Sequence, residues 1–418
     1  MRKASKFTLL TSLYMSQGLP YGFFGQALPV MLRQLGVSLA NIGLTSLLAL
    51  PWALKFLWAP LVDRFGWKRF GHRRSWIVPI QALSVVTLLA MGFLDPARQL
   101  QWVLGGILLM NLYAATQDIA TDGLAVTLLT HDERGLGNSI QVSAYRVGMV
   151  IGGGFLLILV DSLGWVSLFW VLAGILVLAS LPIVLYREPE YEDKDRPSLR
   201  DFVELLKRPG IGQWFVLLLL YKSGDNLTTG MLNPFLVDLG LTTGQIGSLV
   251  GIVGFCAGLV GALAGGWWVI KLGRVRALVS AGVLQAFGVM GYAVPALAAK
   301  SVPALASLPA LYGYCVLEHF TGSLVTVAAF TMMMDVCRTR TAGSDYTFQA
   351  SVVVVAQLGG RAVSGYTAEA LGYAGNFLLS GGLSLFAAAV GALVLSNTTF
   401  RTRLLEGTGS TWERGVAG

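Results

Sequence analysis

Residues Ala59-Pro60-Leu61-Val62-Asp63-Arg64-Phe65-Gly66-Trp67-Lys68-Arg69 form a short polar loop after a long apolar segment. An acidic residue closes the apolar segment, and a glycine and basic residues follow it. A weaker copy, Ile270-Lys271-Leu272-Gly273, stands 207 residues after Asp63-Arg64-Phe65-Gly66. The two copies indicate that the chain contains the same unit twice.

Three further matches recur in the same order at offsets of 204 to 208 residues. They are Leu13-Tyr14-Met15-Ser16 with Leu220-Tyr221-Lys222-Ser223, Leu35-Gly36 and Ile42-Gly43 with Leu239-Gly240 and Ile246-Gly247, and Gln141-Val142-Ser143 with Gln349-Ala350-Ser351. Each match is weak alone, but their shared order and spacing predict a parallel internal repeat.

Hydrophobic residues make up 55% of the 418 residues and charged residues only 12%, whereas a soluble domain is about 25% charged. The mean hydropathy is +0.66, and the 51 glycines suit closely packed membrane helices. This composition excludes a soluble domain and a charge-rich disordered chain. It predicts an integral membrane protein with many spans.

Twelve apolar segments are long enough to cross a bilayer. They are residues 7–32, 39–62, 75–94, 101–127, 136–160, 164–186, 211–237, 242–270, 277–299, 307–336, 346–371 and 374–397. Of the 30 Lys and Arg residues, 23 then lie on the side of the N-terminus, and only Arg33, Arg98 and Lys300 lie in the opposite loops. The positive-inside rule therefore places both termini in the cytoplasm. The net charge of +8 follows from this topology, so no nucleic-acid partner is expected.

Two further features of the sequence argue against processing and metal binding. The basic start resembles a signal peptide, but no small-residue cleavage site follows, so we expect an uncleaved first span. Cys256, Cys315 and Cys337 fall in spans without metal-type spacing, so we expect no disulfide, metal or cofactor. No obligate protein partner is indicated; the expected partners are a small-molecule substrate, protons and the lipid bilayer.

One long polar connection divides the spans six and six. The predicted parts are an N-terminal six-helix bundle (1–186), a cytoplasmic linker with an amphipathic helix (187–210), a C-terminal six-helix bundle (211–397) and a cytoplasmic tail (398–418). Two pseudo-symmetric bundles of six helices resemble the architecture of major facilitator transporters, in which the substrate site lies between the halves.

Charged residues inside spans are rare because each costs roughly 2.5–3.5 kcal/mol at the bilayer centre, and they mark functional positions. Asp118 and Asp122 lie four residues apart on one face of the fourth span. Together with Glu318 of the tenth span, beside His319, they are the predicted proton-coupling residues. The alternatives are that Asp122 is solvated near a helix end and that Glu318 is a satisfied core group.

The predicted substrate cavity combines the other charged groups of the spans with neighbouring polar and aromatic side chains. Arg146 could pair with Asp118 or bind an anionic substrate group. We expect the set to line one water-filled chamber where the halves meet. The residues are Tyr14, Gln17, Tyr21, Lys55, Tyr113, Gln117, Tyr145, Arg146, Lys222, Asp225, Asn226 and Arg361.

The loop that ends the second span predicts a gate made of Asp63, Arg64 and Gly66. Asp63 stands at a helix end, where it can accept hydrogen bonds from the N-terminus of a neighbouring helix in one conformation. The second copy has Ile270 in place of the acid, so the predicted gate is not symmetric.

Several segments together resemble the AmpG-type permeases, a branch of the major facilitator superfamily. They are Tyr14 to Gly22, Leu50 to Arg64, Arg73-Arg74-Ser75-Trp76, Gln117 to Gly123, Ala144-Tyr145-Arg146 and Glu318-His319-Phe320-Thr321-Gly322. The resemblance implies an all-α polytopic fold with twelve transmembrane helices. It also implies import across the bacterial inner membrane by alternating access, without ATP and coupled to protons.

Two substrate classes are compatible with this branch. RhtX/FptX-type siderophore permeases resemble the chain in length and in their twelve spans, whereas the best-known muropeptide permeases are longer and have extra spans. Length therefore favours import of a siderophore, such as a phenolic iron chelate, and a muropeptide permease of cell-wall recycling is the alternative. A non-transport receptor or a lipid scramblase is a further alternative. No nucleophile–base or metal constellation indicates an enzyme.

Overall fold

The computed structural model describes residues 3–24, 28, 48–67, 69–96, 98–188, 199–298, 301–410 and 412, with the backbone alone at 3, 154–163, 199–202 and 243. Over these residues the chain is helical and forms no β-strand, apart from an isolated bridge between Trp67 and Gly71. The predicted all-α class is confirmed.

The chain folds into two compact units. Unit 1 comprises Met1–Leu129, Ile140–Val203 and Thr339–Phe348, and unit 2 comprises Thr130–Ser139, Glu204–Arg338 and Gln349–Gly418. Each unit therefore includes one short segment from the opposite half of the sequence. The four-part division predicted from the sequence does not contain these exchanged segments.

Unit 1 contains the first five helices, most of the sixth, and the seventh. They are α1 (Lys3–Gly22), α2 (Leu50–Leu54), α3 (Ala59–Arg64), α4 (Arg74–Gly92), α5 (Leu100–Leu128), α6 (Arg134–Val150) and α7 (Leu156–Leu185). A 3-10 turn, Lys55–Leu57, joins α2 to α3, and a π-helical turn, Ile151–Phe155, joins α6 to α7.

Helix α8 (Leu199–Lys207) lies in the connection between the repeats, and the remaining helices belong mainly to unit 2. They are α9 (Ile211–Asp238), α10 (Thr243–Ile246), α11 (Gly254–Leu272), α12 (Arg274–Met290), α13 (Ala293–Ala298), α14 (Leu308–Val336), α15 (Ala342–Ser396) and α16 (Thr398–Leu405). A π-helical turn, Gly247–Val253, joins α10 to α11.

The internal repeat is visible in the backbone. Helices α5 and α14 each contain 29 residues and begin 208 residues apart. Within α7 the chain bends at Gly164 (φ 70°, ψ 171°), and within α15 it bends at Gly372 (φ 70°, ψ 172°), again 208 residues later. Glycine adopts this left-handed φ without steric cost, which explains why both bends occur at that residue type.

Helices α1 and α6 pack backbone against backbone. A Cβ atom added at Gly18 would overlap the carbonyl oxygen of Tyr145, and one added at Gly148 would overlap that of Met15. Glycines at both positions allow this approach, as is common between membrane helices. The contact places the polar residues of α1 beside those of α6.

Seven helices within the described ranges are long and apolar enough to cross a membrane. They are Arg74–Gly92, Leu100–Leu128, Gly164–Leu185, Gly244–Leu272, Arg274–Ala298, Leu308–Val336 and the bent Thr339–Ser396, which covers two predicted spans. Helices α1 and α9 coincide with predicted spans but carry more polar residues. The end of the first predicted span and the start of the second, 39–47, fall outside the described residues.

Candidate substrate and gating sites

A buried ion pair connects Lys55 Nζ to Asp118 Oδ2. Lys55 begins the turn after α2, Asp118 lies in the second half of α5, and they are 4% and 8% exposed. Removing one partner of such a pair is strongly destabilising because it leaves an uncompensated charge in a low-dielectric environment. Lys55 is therefore a partner of Asp118, and the pairing of Asp118 with Arg146 stays a prediction.

The second carboxylate of α5 has hydroxyl and amide partners. Asp122 Oδ1 accepts hydrogen bonds from the Tyr14 hydroxyl at 2.9 Å and from Gln141 Nε2 at 3.3 Å. Asp122 is 1% exposed, so it is not the solvated residue that the alternative interpretation required. Helices α1, α5 and α6 thus meet at this carboxylate.

Side-chain amides of two other helices, α4 and α5, donate to Ser16. Gln117 Nε2 and Gln81 Nε2 donate to Ser16 Oγ at 3.0 and 3.2 Å. The adjacent Gln17 is 1% exposed, and neither of its amide atoms forms a hydrogen bond to another described residue. Buried polar atoms are almost always paired, so the Gln17 amide keeps unused hydrogen-bonding capacity.

Three aromatic rings lie close together, and one of them lies near the Lys55 ammonium group. The ring centroids of Tyr21, Trp52 and Tyr145 lie 5.9 to 6.5 Å apart, and all three rings are half-buried. The indole N–H of Trp52 donates to Asn111 Oδ1 at 3.0 Å, and Lys55 Nζ lies 5.4 Å from the Trp52 centroid. We call Tyr21, Trp52 and Tyr145 the aromatic triad. Such rings, with a few polar groups beside them, are typical of sites for ring-bearing ligands.

Two further predicted cavity residues belong to unit 1. Arg146 follows Tyr145 on α6 and is half-buried. Tyr113 packs against the apolar cluster that includes Phe23, Met110 and Phe169. The structure therefore groups Tyr113 with apolar packing, while Lys55, Gln117, Asp118 and their neighbours form a polar cluster.

Unit 2 contains a second polar cluster, on α9 and α14. Lys222 Nζ donates to Thr326 Oγ1 at 2.8 Å, and Asn226 Nδ2 donates to the carbonyl oxygen of Lys222 at 2.7 Å. Lys222 and Asn226 are buried on α9, the helix that also carries Asp225.

Glu318 pairs with the next residue along α14. Its Oε2 lies 2.5 Å from His319 Nδ1. A Cβ atom at Gly322 would lie 3.8 Å from Asp225 Oδ1 and 3.9 Å from Glu318 Oε1, so both carboxylates border the space beside that glycine. Arg361, also predicted for the cavity, has an exposed side chain on α15. Whether the two clusters line one chamber stays a prediction.

Asp63 contacts the start of α15. Its Oδ2 accepts a hydrogen bond of 2.6 Å from the backbone N–H of Ser344, and its Oδ1 forms an ion pair with Arg73. Ser344 lies in the first turn of α15, where N–H groups lack helical partners and the dipole favours an anion. A Cβ at Gly343 would lie only 2.7 Å from Asp63 Oδ1, so this glycine allows the close approach.

The other two predicted gate residues make local contacts. The Arg64 guanidinium lies 5.8 Å from the Phe65 ring centroid. A Cβ at Gly66 would collide with the His72 side chain, so Gly66 lets the loop fold onto that histidine.

Sequence reasoning missed two sets of charged residues. Arg73, the partner of Asp63, was identified from the sequence only as part of the motif Arg73-Arg74-Ser75-Trp76, without a predicted partner. Asp335, at the end of α14, forms ion pairs with Arg134 at 2.7 Å and Arg274 at 2.9 Å, and its carboxylate is fully buried. An isolated acid after three methionines at the end of a span was the available signal. Arg134 and Arg274 lie far from Asp335 in the sequence, so no sequence pattern indicated these two ion pairs.

The family model described as Major Facilitator Superfamily matches residues 10–305 and 214–414. The two matches start 204 residues apart, within the range of offsets of the internal repeat. Together they cover nearly the whole chain.

Curated relatives include permeases of the AmpG type. The chain is 31% identical over 394 residues to the anhydromuropeptide permease of Escherichia coli K12, which covers 93% of this chain and 78% of that protein. It is 26% identical over 383 residues to the Rickettsia conorii transporter AmpG 4, covering 87% of this chain and 90% of that protein.

Solved structures share the fold at lower identity. The Escherichia coli fucose:proton symporter FucP superposes with a TM-score of 0.71 at 13% identity, covering 93% of this chain and 98% of FucP. The human organic anion transporter MFSD10 gives a TM-score of 0.68 at 15% identity, covering 94% and 100%. The predicted major facilitator fold and AmpG-type resemblance are thereby confirmed.

The predicted siderophore substrate is wrong. It depended on chain length, but the longer Escherichia coli permease aligns with 93% of this chain. The additional length of that relative therefore lies outside the shared region and does not separate the substrate classes. The relatives support the muropeptide alternative instead.

Proposed function

The chain belongs to the Major Facilitator Superfamily, in its AmpG-type branch, and from this premise we propose that it carries an anhydromuropeptide across the bacterial inner membrane. The observation that carries the proposal is the 31% identity with the anhydromuropeptide permease over 93% of the chain. An anhydromuropeptide combines sugar rings with a peptide that bears carboxylates and amines.

The side chains of unit 1 suit such a ligand. The aromatic triad offers ring faces against which a sugar can stack. The Gln17 amide has free hydrogen-bonding capacity, and Lys55, beside Trp52, can attract a carboxylate of the peptide. Aromatic faces with a few fixed polar groups give orientation as well as affinity.

Transport by alternating access gives the Asp63–Ser344 hydrogen bond a role. A carboxylate at a helix N-terminus stabilises the conformation in which the two meet. The bond must open when that conformation is left, so it contributes to the barrier between states. Import, toward the cytoplasm, is the direction proposed here, with both termini on the cytoplasmic side.

We further propose that protons drive the uptake. The Lys55–Asp118 pair, Asp122 and Glu318 are buried groups whose charge a proton would change. Neutralising a buried carboxylate removes a charge that resists movement through a low-dielectric region. One proton moving down a membrane potential supplies about 2.3 kcal/mol per 100 mV for accumulation.

The test is uptake by the purified protein in liposomes. Radiolabelled N-acetylglucosaminyl-anhydromuramyl peptide is supplied outside, with and without an imposed proton gradient. We expect accumulation that requires the gradient and that unlabelled muropeptide competes away. Uptake into a closed vesicle also separates transport from a receptor, which would bind without accumulation.

Two results would reject the proposals separately. Absence of uptake and of binding in vesicles that contain folded protein would reject the muropeptide substrate. Uptake that equilibrates at the same rate with and without the gradient would reject proton coupling alone. Asp132→Asn, at an exposed carboxylate in a 3-10 turn, is the matched control for the carboxylate variants.

A further inference from the structure

The last described residues of the chain fold back onto unit 2. After α16, Gly407 and Gly409 have φ values of 75° and 70°, which glycine adopts without steric cost. These turns bring Ser410 and Trp412 to the end of α14. We call the segment formed by Thr408, Gly409, Ser410 and Trp412 the C-terminal strap.

The strap touches the Asp335 ion-pair cluster directly. Trp412 Nε1 donates to Asp335 Oδ2 at 3.1 Å, and Arg134 Nη1 donates to Ser410 Oγ at 2.8 Å. The Trp412 ring also packs against Trp214, with centroids 5.9 Å apart. Trp412 and Ser410 are 7% and 8% exposed, so the strap is buried against the cluster.

The charges of the cluster explain why this contact matters. One carboxylate, Asp335, faces two guanidinium groups, so the arginines carry N–H donors that the carboxylate alone cannot satisfy. Arg134 uses Ser410 as an additional acceptor, and Arg274 uses the carbonyl oxygen of His131. Covering the cluster with an indole excludes water, and ion pairs are stronger in the resulting low dielectric.

Arg134 connects the cluster to the substrate residues through the chain itself. It is the first residue of α6, which begins in unit 2 and continues in unit 1 from Ile140. The same helix carries Tyr145 of the aromatic triad and Arg146. A contact that holds Arg134 in place therefore also holds the start of α6, the helix that carries these proposed substrate contacts.

We propose that the C-terminal strap is an autoinhibitory latch. It holds Arg134 against Asp335 and slows the step of the transport cycle in which the start of α6 must leave that carboxylate. Release of the strap exposes the ion pairs to water, weakens them and speeds that step. The proposal rests on the transport function proposed above.

The test compares variants that remove single strap contacts. Trp412→Phe keeps an aromatic ring beside Trp214 but removes the indole N–H, and Ser410→Ala removes the acceptor of Arg134. We expect each to raise the maximal uptake rate by about tenfold, a factor within reach of one hydrogen bond to a charged group. The KM for muropeptide should not change, because neither residue belongs to the proposed substrate contacts.

Two controls accompany these variants. Trp102→Phe changes a tryptophan that is 65% exposed and should leave the rate unchanged. A synthetic peptide with the sequence of residues 404–418, present on both sides of the bilayer, should slow the Trp412→Phe variant again. Rates equal to wild type in both strap variants, or slower uptake with a lower melting temperature, would overturn the latch.

A second readout does not depend on the substrate. Hydrogen exchange of backbone amides in the first turns of α6 should be faster in Trp412→Phe than in the wild-type protein. If the wild-type protein transports no muropeptide, the proposed function fails while this measurement still decides on the strap. Unchanged exchange in α6 would overturn the latch.

Discussion

Asp118 of α5 and Thr326 of α14 are equivalent positions of the internal repeat, 208 residues apart, and each binds the ammonium group of a lysine. Lys55 reaches Asp118 from the turn after α2, and Lys222 reaches Thr326 from α9. A carboxylate thus balances the ammonium in unit 1, whereas Thr326 brings no charge in unit 2. The two lysines come from helices that are not equivalent in the repeat, so the two contacts are not copies of one another.

Replacing Asp118 tests the buried ion pair. Asp118→Asn should lower the free energy of unfolding by about 3–5 kcal/mol, because Lys55 then remains buried without a balancing charge. Asp95→Asn is the control, since the Asp95–Arg98 pair is exposed and such pairs contribute about 0–1 kcal/mol. Chemical unfolding in detergent measures both. Equal losses in the two variants would contradict the assignment of Lys55 as the partner of Asp118.

The repeat also supplies a matched pair of tyrosines, Tyr14 and Tyr221. The Tyr14 hydroxyl donates to Asp122, while the Tyr221 hydroxyl has no hydrogen bond to any other described residue. Tyr14→Phe should therefore cost about 1.5–3 kcal/mol of stability, and Tyr221→Phe should be nearly neutral. Melting temperatures of both variants, measured side by side, provide the check. A larger effect at Tyr221 would show that the hydrogen bond of Tyr14 is unimportant.

Asp63→Asn should weaken the contact between Asp63 and the first turn of α15. The variant keeps the shape of the side chain but removes the charge that faces Ser344 N–H and Arg73. We expect a loss of about 1–3 kcal/mol in unfolding free energy and a changed uptake rate. Asp132→Asn serves as the exposed control. Identical unfolding curves for the two variants would exclude the contact as a stabilising element.

The approach of α1 to α6 predicts that two similar substitutions have opposite outcomes. Gly18→Ala places a methyl group on the carbonyl oxygen of Tyr145, whereas a Cβ at Gly105 meets no atom within 4 Å. Gly18→Ala should abolish folded protein, and Gly105→Ala should stabilise it by about 0.4–1 kcal/mol. Size-exclusion profiles and melting temperatures report both. A monodisperse Gly18→Ala variant with wild-type stability would contradict the packing of these helices.

Trp52 tests whether the aromatic triad binds the substrate. Trp52→Ala removes a ring face and the contact with Lys55, so the KM for muropeptide should rise by about tenfold, in line with about 0.5–1.5 kcal/mol for an aromatic contact beyond its buried area. Trp102→Ala, at an exposed position, is the control for loss of a tryptophan. A KM that does not move in Trp52→Ala while folding is intact would remove the triad from the site.

The sequence predicted those features of the fold that depend on local pattern. Apolar segment length indicated the helices, and the four spaced matches indicated the repeat that α5 and α14 display. The sequence also identified Lys55, Asp118 and Asp122 as candidate functional residues, because a charge inside an apolar segment has a high free-energy cost.

The sequence did not predict which charged residues form ion pairs with each other. Lys55 forms an ion pair with Asp118, and Arg73 joins Asp63 across a turn of the chain. These pairings depend on how helices pack, which the residue pattern of one segment does not contain. The substrate prediction failed for a different reason, since chain length is not a physical determinant of what a site binds.

The two glycine bends, at Gly164 and Gly372, depend on backbone geometry and not on the chemistry of a bound solute. Both corners demand a residue without a side chain, whatever the solute, because an L-residue with φ near 70° is strained by roughly 1–2 kcal/mol. The two bends therefore have the same backbone geometry. We expect that a chimera can exchange the segments around Gly164 and Gly372 without altering ligand recognition. Substitutions at the proposed substrate contacts of either half should therefore leave both turns of the backbone unchanged.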